Sequence, residues 1–187
     1  MGEVIYWLSV SVDGYVETRD KQIDWSAPSE GLHRFFNDTA RVAGMFLMGR
    51  RTYDMMAAFW PTADQVPGAS DLIKEYAGIW REKPKAVFSR SPREVAWSSR
   101  LVTGDVAAEV NALKRRVEGE MWLAGPNLAA TFAELGLIDE YRLFVRPIVL
   151  GGGTPFFPPM DARLRLRLAE APRTFPEGVV MLRYRLS

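Results

Sequence analysis

The apolar positions of this chain fall into two textures, and the change between them comes at about Glu140. Before it, short continuous apolar runs alternate with segments whose apolar residues recur every three or four positions, as strands and helices in turn require. Residues 4–12 are rich in Val, Ile, Tyr and Trp, which predicts a central strand covered on both faces. Asp13-Gly14 punctuates it. After Pro28, the residues Leu32, Phe35, Phe36, Thr39, Ala40 and Ala43 make one helical stripe. Residues 44–48 predict a buried strand broken at Gly49, and 51–59 a helix stopped by Pro61. Residues 61–68 read as a loop, 69–80 as a helix ending before Pro84, and 85–89 as a strand. Asp105 is placed to cap a helix that turns Val106, Val110, Leu113 and Val117 inward. Residues 121–124 predict another short strand. Gly125-Pro126 then opens a helix carrying Leu128, Phe132 and Leu135, with Gly136 as its C-cap.

After Glu140 the helices stop. Residues 141–150, 164–170 and 179–186 all read as strands. Arg163, Arg165 and Arg167 alternate with Leu164, Leu166 and Leu168, the period of a half-buried strand with a solvated basic face. Strand–helix alternation giving way to strands alone predicts an α/β fold, with a central, mixed but mostly parallel sheet flanked by helices and ending in antiparallel strands. No repeat or linker interrupts the 187 residues, so one domain over 1–187 is expected.

Composition narrows the chemistry. With 48% hydrophobic residues the chain can build a core, and 24 basic against 23 acidic residues leave a net charge of +1. Such a balance gives no global field to attract nucleic acid or an anionic membrane. The apolar runs fall far short of the ~18 residues a membrane-spanning helix needs, and the N-terminus lacks a basic leader, so the expected compartment is the cytoplasm. There is no cysteine, which excludes disulfides, thiolate metal sites and cysteine nucleophiles, and the one histidine, His33, lies off the helical stripe, where a solvent-facing position is expected. The remaining chemistry is that of carboxylates, hydroxyls, backbone amides and a borrowed cofactor.

Three strand ends offer those groups. Met48-Gly49-Arg50-Arg51-Thr52-Tyr53 puts a glycine, two arginines and a hydroxyl at a helix start, where free amides suit a phosphate. A glycine turn with solvated arginines reads equally well. Leu123-Ala124-Gly125-Pro126-Asn127-Leu128 repeats the arrangement, and two such starts in one small fold suit the two phosphates of a dinucleotide. Ser89-Arg90 comes just after a strand and would favour the 2′-phosphate of NADPH over NADH. Gly151-Gly152-Gly153 runs into Thr154-Pro155 instead of a helix, so it is either a cofactor-facing turn or a bulge. Ser11-Val12-Asp13-Gly14 reads first as a turn. In its functional reading, Asp13 stands at a cleft mouth, where an apolar pocket beside a nicotinamide would raise its pKa and let it supply a proton. Asp24-Trp25 either lines a substrate pocket or anchors the loop before the first helix.

Taken in order, S-x-D-G, M-G-R-x-T-Y, V-x-S, G-P-N-L, G-L-I-D-E and P-I-V-L-G-G-G-T-P-F-F resemble the dihydrofolate reductase-like superfamily. Within it they are similar to the C-terminal reductase domain of the riboflavin-biosynthesis bifunctional deaminase-reductase. The resemblance implies a three-layer fold and an NADPH-dependent reductase that passes hydride to a small heterocycle. The substrates it suggests are 5-amino-6-(5-phosphoribosylamino)uracil or a pterin-like compound. It implies that Gly49, Arg50, Arg51 and Thr52 hold adenosine-side phosphates, that Ser89 and Arg90 meet the adenine ribose, and that Gly125, Pro126, Asn127 and Leu128 meet the pyrophosphate. Gly151 and Gly152 would pass close to the cofactor, Asp13 would be catalytic, and Ser11, Gly14 and Trp25 would face substrate. Pairing as a homodimer through the late strands is implied as well. The alternative is an NADP(H)-binding regulatory module without turnover. Tyr15 stands where the riboflavin enzymes carry lysine after D-G, and the zinc-deaminase motif is missing from this sequence. The first helix offers only Glu30 and Asp38, both off its buried stripe, so the acid of folate reductases is not matched.

Overall fold

The computed structural model describes residues 1–160 and 163–187. The apolar N-terminal run becomes β1 (Glu3–Ser11), in which Val4, Ile5 and Tyr6 are buried from both sides. After it come β2 (Tyr15–Glu17), α1 (Glu30–Val42), β3 (Met45–Gly49), α2 (Arg50–Phe59), α3 (Asp71–Glu82), β4 (Lys85–Phe88) and β5 (Ser99–Val102). Next are α4 (Val106–Arg116), β6 (Glu120–Ala124), α5 (Pro126–Glu134) and β7 (Glu140–Arg146). The chain ends with the short β8 (Thr154–Pro155), β9 (Leu166–Leu168), β10 (Arg173–Thr174) and β11 (Val180–Leu186).

Among the described residues a nine-stranded sheet has the order β10-β11-β7-β1-β6-β3-β4-β5, with β9 also paired to β11. The strands from β7 to β5 are mutually parallel, and β11 turns antiparallel against β7. Alternation along each strand splits the core. On one face Ile5, Phe46, Met48, Val87 and Trp122 meet Ala40 of α1, Tyr53 of α2 and Trp80 of α3. On the other, Val4, Tyr6, Leu47, Ala86 and Leu123 meet Val110 and Leu113 of α4 and Ala129 and Phe132 of α5. The result is the expected three layers, a mixed and mostly parallel sheet between helices.

Several boundaries depart from the expectation. Residues 61–68 are not simply a loop: Trp60–Gln65 continue α2 as a 3-10 turn, because Pro61 sits in its first positions and so needs no donor. Arg81 secures that turn through the Pro61 carbonyl, at 2.8 Å, and Asp64. The strand expected over 141–150 ends at Arg146, since Pro147 cannot donate to a ladder. Leu135 is exposed beyond the end of α5 instead of packing inward. β5 escapes the periodicity because it is a four-residue edge strand entered through left-handed Trp97 and Ser98. His33 is half-buried, its ring edge-on to Trp60 and Tyr76, and burial lowers its pKa.

Two helix starts carry functional weight. α2 and α5 begin at Gly49 and Gly125, and neither start has a side chain capping its amides. By contrast α1, α3 and α4 are capped by Ser29, Ser70 and Asp105.

Candidate active site

Every parallel strand ends on the same edge of the sheet. The chain leaves β1 and β3 for helices on one face, yet leaves the intervening β6 for α5 on the other. Such a reversal opens a crevice at the carboxyl ends, where ligands of open α/β sheets bind. In it Gly125 brings α5 against α2: at φ +106° its missing Cβ would lie 2.5 Å from the Thr52 hydroxyl and 3.9 Å from the Gly49 nitrogen. A Cβ on Gly49 would in turn stand 3.5 Å from Leu128. Gly49, Thr52, Gly125 and Leu128, separated by about 75 residues, therefore form one junction with two sets of unpaired amides. Pro126 occupies the first turn of α5, and Asn127 and Arg50 are exposed beside it.

Arg51 is committed elsewhere. Its guanidinium makes a two-pronged ion pair with Glu17 of β2, which also accepts from Thr154 of β8 at 2.5 Å and lies 3.1 Å from Lys21. The Glu17 side chain is only 6% exposed. Burial alone would raise its pKa, but the hydrogen bonds from Arg51, Thr154 and Lys21 prevail and hold it at about 2. In this structure Arg51, expected as a phosphate ligand, serves as a strap. It ties the two-stranded β2–β8 ribbon to the start of α2.

Asp13 departs further from expectation. Its carboxylate accepts from the Leu150 amide at 3.1 Å and the Gly151 amide at 2.8 Å, across 137 and 138 residues of chain. The group is exposed, and its pKa is lowered, first by the hydrogen bond with Ser11 and then, against slight desolvation, by those two amides. The upward shift expected of a general acid is not found, because the carboxyl meets donors and not an apolar pocket. Ser11 is 1% exposed, and its hydroxyl accepts from the Tyr15 amide within the turn. Gly14 accepts from the Phe156 amide through its carbonyl. Gly151 accepts from Arg19 at 3.0 Å, a Cβ on Gly152 would meet the Arg19 guanidinium, and one on Gly153 would collide with the Glu17 carbonyl. The triple glycine is therefore a packed turn, clamped from both sides.

At the far end of the edge, Ser89 turns its hydroxyl into its own loop, 2.9 Å from the Ser91 carbonyl, and Arg90 is exposed. Next to it, a cleft of about 350 Å³ opens between the end of β5 and the start of α4. A second cleft of about 390 Å³ lies at the other end, between the segment before α1 and the end of β7. Trp25 lines it, and so does Arg146, which no motif singles out. A signal for Arg146 is nevertheless present: period two in β7 puts Arg142 and Arg146 on the same face as Phe144. Val12 and Val149, 62% and 68% exposed, give the mouth between β1 and β7 an apolar rim.

The RibD C-terminal domain family matches residues 3–181 of the chain. The Bacillus subtilis protein YyaP, described as uncharacterized, is 33% identical over 184 residues, covering 97% of this chain and 93% of YyaP. A structure described as a putative riboflavin biosynthesis protein from Shewanella sp. PV-4 superposes with a TM-score of 0.77 at 23% identity, over 99% of each chain. Dihydrofolate reductase from Enterococcus faecalis, in complex with NADP(H), superposes with a TM-score of 0.64 at 14% identity, over 99% of this chain and 96% of that one. The fold is dihydrofolate reductase-like. Among the described residues no helix is long and apolar enough to cross a membrane.

Proposed function

This chain belongs to the RibD C-terminal domain family, and from that membership we propose that it is an NADPH-dependent reductase acting on a small pyrimidine or pterin-like heterocycle. The riboflavin-pathway uracil intermediate is the first substrate to try. The observation that carries the reading is the junction of two uncapped helix starts across Gly125. A side chain at 125 would fill the space between them, and free amides with a neighbouring arginine match a pyrophosphate.

In this reading Gly49, Arg50 and Thr52 take the adenosine-side phosphate, and Gly125, Pro126, Asn127 and Leu128 take the pyrophosphate. Ser89 and Arg90 face the adenine ribose, while Gly151 and Gly152 keep the opposite wall close. A reduced nicotinamide, when bound, supplies the hydride. Asp13 acts as a positioning residue that clamps the 150–151 amides. With Asp13 and Glu17 both shifted toward the ionised form, neither holds a proton at neutral pH, and the proton reaches the substrate through water. Trp25 and the cleft beside it receive the substrate.

Thermal unfolding with NADPH and with NADH tests this. At a hundredfold excess over its dissociation constant NADPH stabilises by roughly 2.7 kcal/mol, seen as a raised Tm. Arg50→Ala weakens NADPH about tenfold and NADH little, the effect of one lost charge-assisted contact. No shift with either nucleotide rejects the proposal. A shift without oxidation of NADPH by any of a panel of pyrimidines and pterins favours a binding module instead.

A further inference from the structure

The guanidinium of Arg146 is a buried charge with an unusual set of partners. The residue is 6% exposed at the end of β7. Its Nε donates to the Ser9 hydroxyl at 3.3 Å, Nη1 to the Ala27 carbonyl at 3.1 Å and Nη2 to the Ser26 carbonyl at 2.6 Å. All three partners are neutral, and no carboxylate lies within ion-pair distance among the described residues. The other buried arginine, Arg142, is by contrast paired with both Glu120 and Glu140. Three bonds use three of the five N–H donors a guanidinium owns. Burial disfavours the Arg146 charge, and Glu177, exposed at the rim of the same cleft, acts against that shift.

A second donor waits at the same place. The indole Nε1 of Trp25 is buried and has no hydrogen-bond partner. Trp25 and Arg146 both line the cleft of about 390 Å³, together with Pro28, Ser29 and Ile148. The Ser29 hydroxyl is already engaged by the Leu32 amide. A buried unpaired donor and a buried cation without an ion-pair partner are each costly, and one ligand group can relieve both.

We propose that Arg146 and the Trp25 indole N–H form an oxyanion-recognising subsite, which selects a planar ligand bearing a carboxylate or phosphate oxygen. It rests on the reductase reading only in calling that ligand the substrate. Arg146 would be a specificity-determining residue, and Trp25 would supply both an N–H and an aromatic wall. The alternative, that Arg146 only clamps the segment before α1, needs no ligand at all.

Benzoate and benzamide separate the two, since they share shape and differ in charge. The probe is the Trp25 indole N–H resonance of the ¹⁵N-labelled full chain, identified by its loss in Trp25→Phe. Benzoate is expected to move it saturably, and at least about tenfold more tightly than benzamide, the effect of a charge-assisted bond at a desolvated site. Arg146→Met removes that preference, and Arg146→Lys, which keeps the charge but not the fork, retains part of it. Should Arg146→Met fail to fold, the same comparison in Arg146→Lys decides. Inorganic phosphate, run in parallel, tells a phosphate-bearing ligand from a carboxylate. Equal response to benzoate and benzamide, no response to either, or an unchanged preference in the Arg146 variants overturns the subsite. These titrations contain no nucleotide. A failed NADPH shift with an intact benzoate preference therefore sinks the reductase reading alone, and the reverse result sinks the subsite alone.

Discussion

At position 125 the absence of one carbon atom lets two helices start side by side. Gly125→Ala places a Cβ 2.5 Å from the Thr52 hydroxyl and also strains a backbone at φ +106°. A loss of about 1–3 kcal/mol is expected, read from the denaturant midpoint. The double variant with Thr52→Ala recovers the steric share and leaves the backbone share, so the two substitutions are non-additive. Gly125 itself is legible in the sequence, because a glycine before proline at a strand end points to a helix start. Its partner is not, since only packing brings Thr52 to it. Asp13 carries the same lesson in reverse. Asp-Gly reads rightly as a turn, but the hydrogen bond with Ser11, and after it amides 137 and 138 residues away, lower the pKa of its carboxyl against the expected direction.

Between elements, the β2–β8 ribbon is fastened to α2 by Glu17. Its folded carboxyl titrates at about 2 against an ordinary value of 4.5. A lowered folded pKa means that this contribution is complete above about pH 4.5 and is lost as pH falls toward 2. Glu17→Gln is accordingly less stable than the parent at pH 7, by about 1–3 kcal/mol for weakened charge-assisted bonds. The gap narrows as acid protonates the parent, and urea midpoints measured from pH 7 to pH 2 check this. A gap independent of pH would mean that the ion pair contributes nothing. The ribbon leaves no local signature in the sequence: β2 has three residues and β8 two, too few to show a period, and Glu17 meets Thr154 across 137 residues of chain. The longer elements do leave one, because α1 buries a stripe that imposes a helical period and β1 buries both faces as a continuous apolar run.

Across the whole molecule, the most extensively buried charge network among the described residues lies at the end of the sheet opposite the site. Glu140, fully buried at the start of β7, accepts from Arg142, Arg183 and Arg185, while Glu120 holds Arg142 and Glu3 holds Arg185. Burial would raise the Glu140 pKa, but the Arg183 and Arg142 guanidiniums around it hold it low. The network joins β1, β6, β7 and β11 across four strands. Glu140→Ala removes the partner that three arginines share and leaves Arg142 on Glu120, Arg183 on Glu170 and Arg185 on Glu3, and a cost of about 1–3 kcal/mol is expected for the lost charge-assisted bonds. Because the damage is remote from the carboxyl edge, the variant keeps its NADPH stabilisation at temperatures where it is folded. Thermal melts with and without NADPH measure both effects at once.

The sequence alone determined the order and kind of the main elements and the α/β class of the fold. Each of these comes from local periodicity and from glycine or proline at a boundary, which act within a few residues. Only the tertiary structure decided what each charged side chain does. It set Arg51 against Glu17 and Asp13 against the Leu150 and Gly151 amides, and it left Arg146 buried without an ion-pair partner among the described residues. A side chain's partner and its protonation depend on groups that close in from distant parts of the chain, and no local pattern carries that distance.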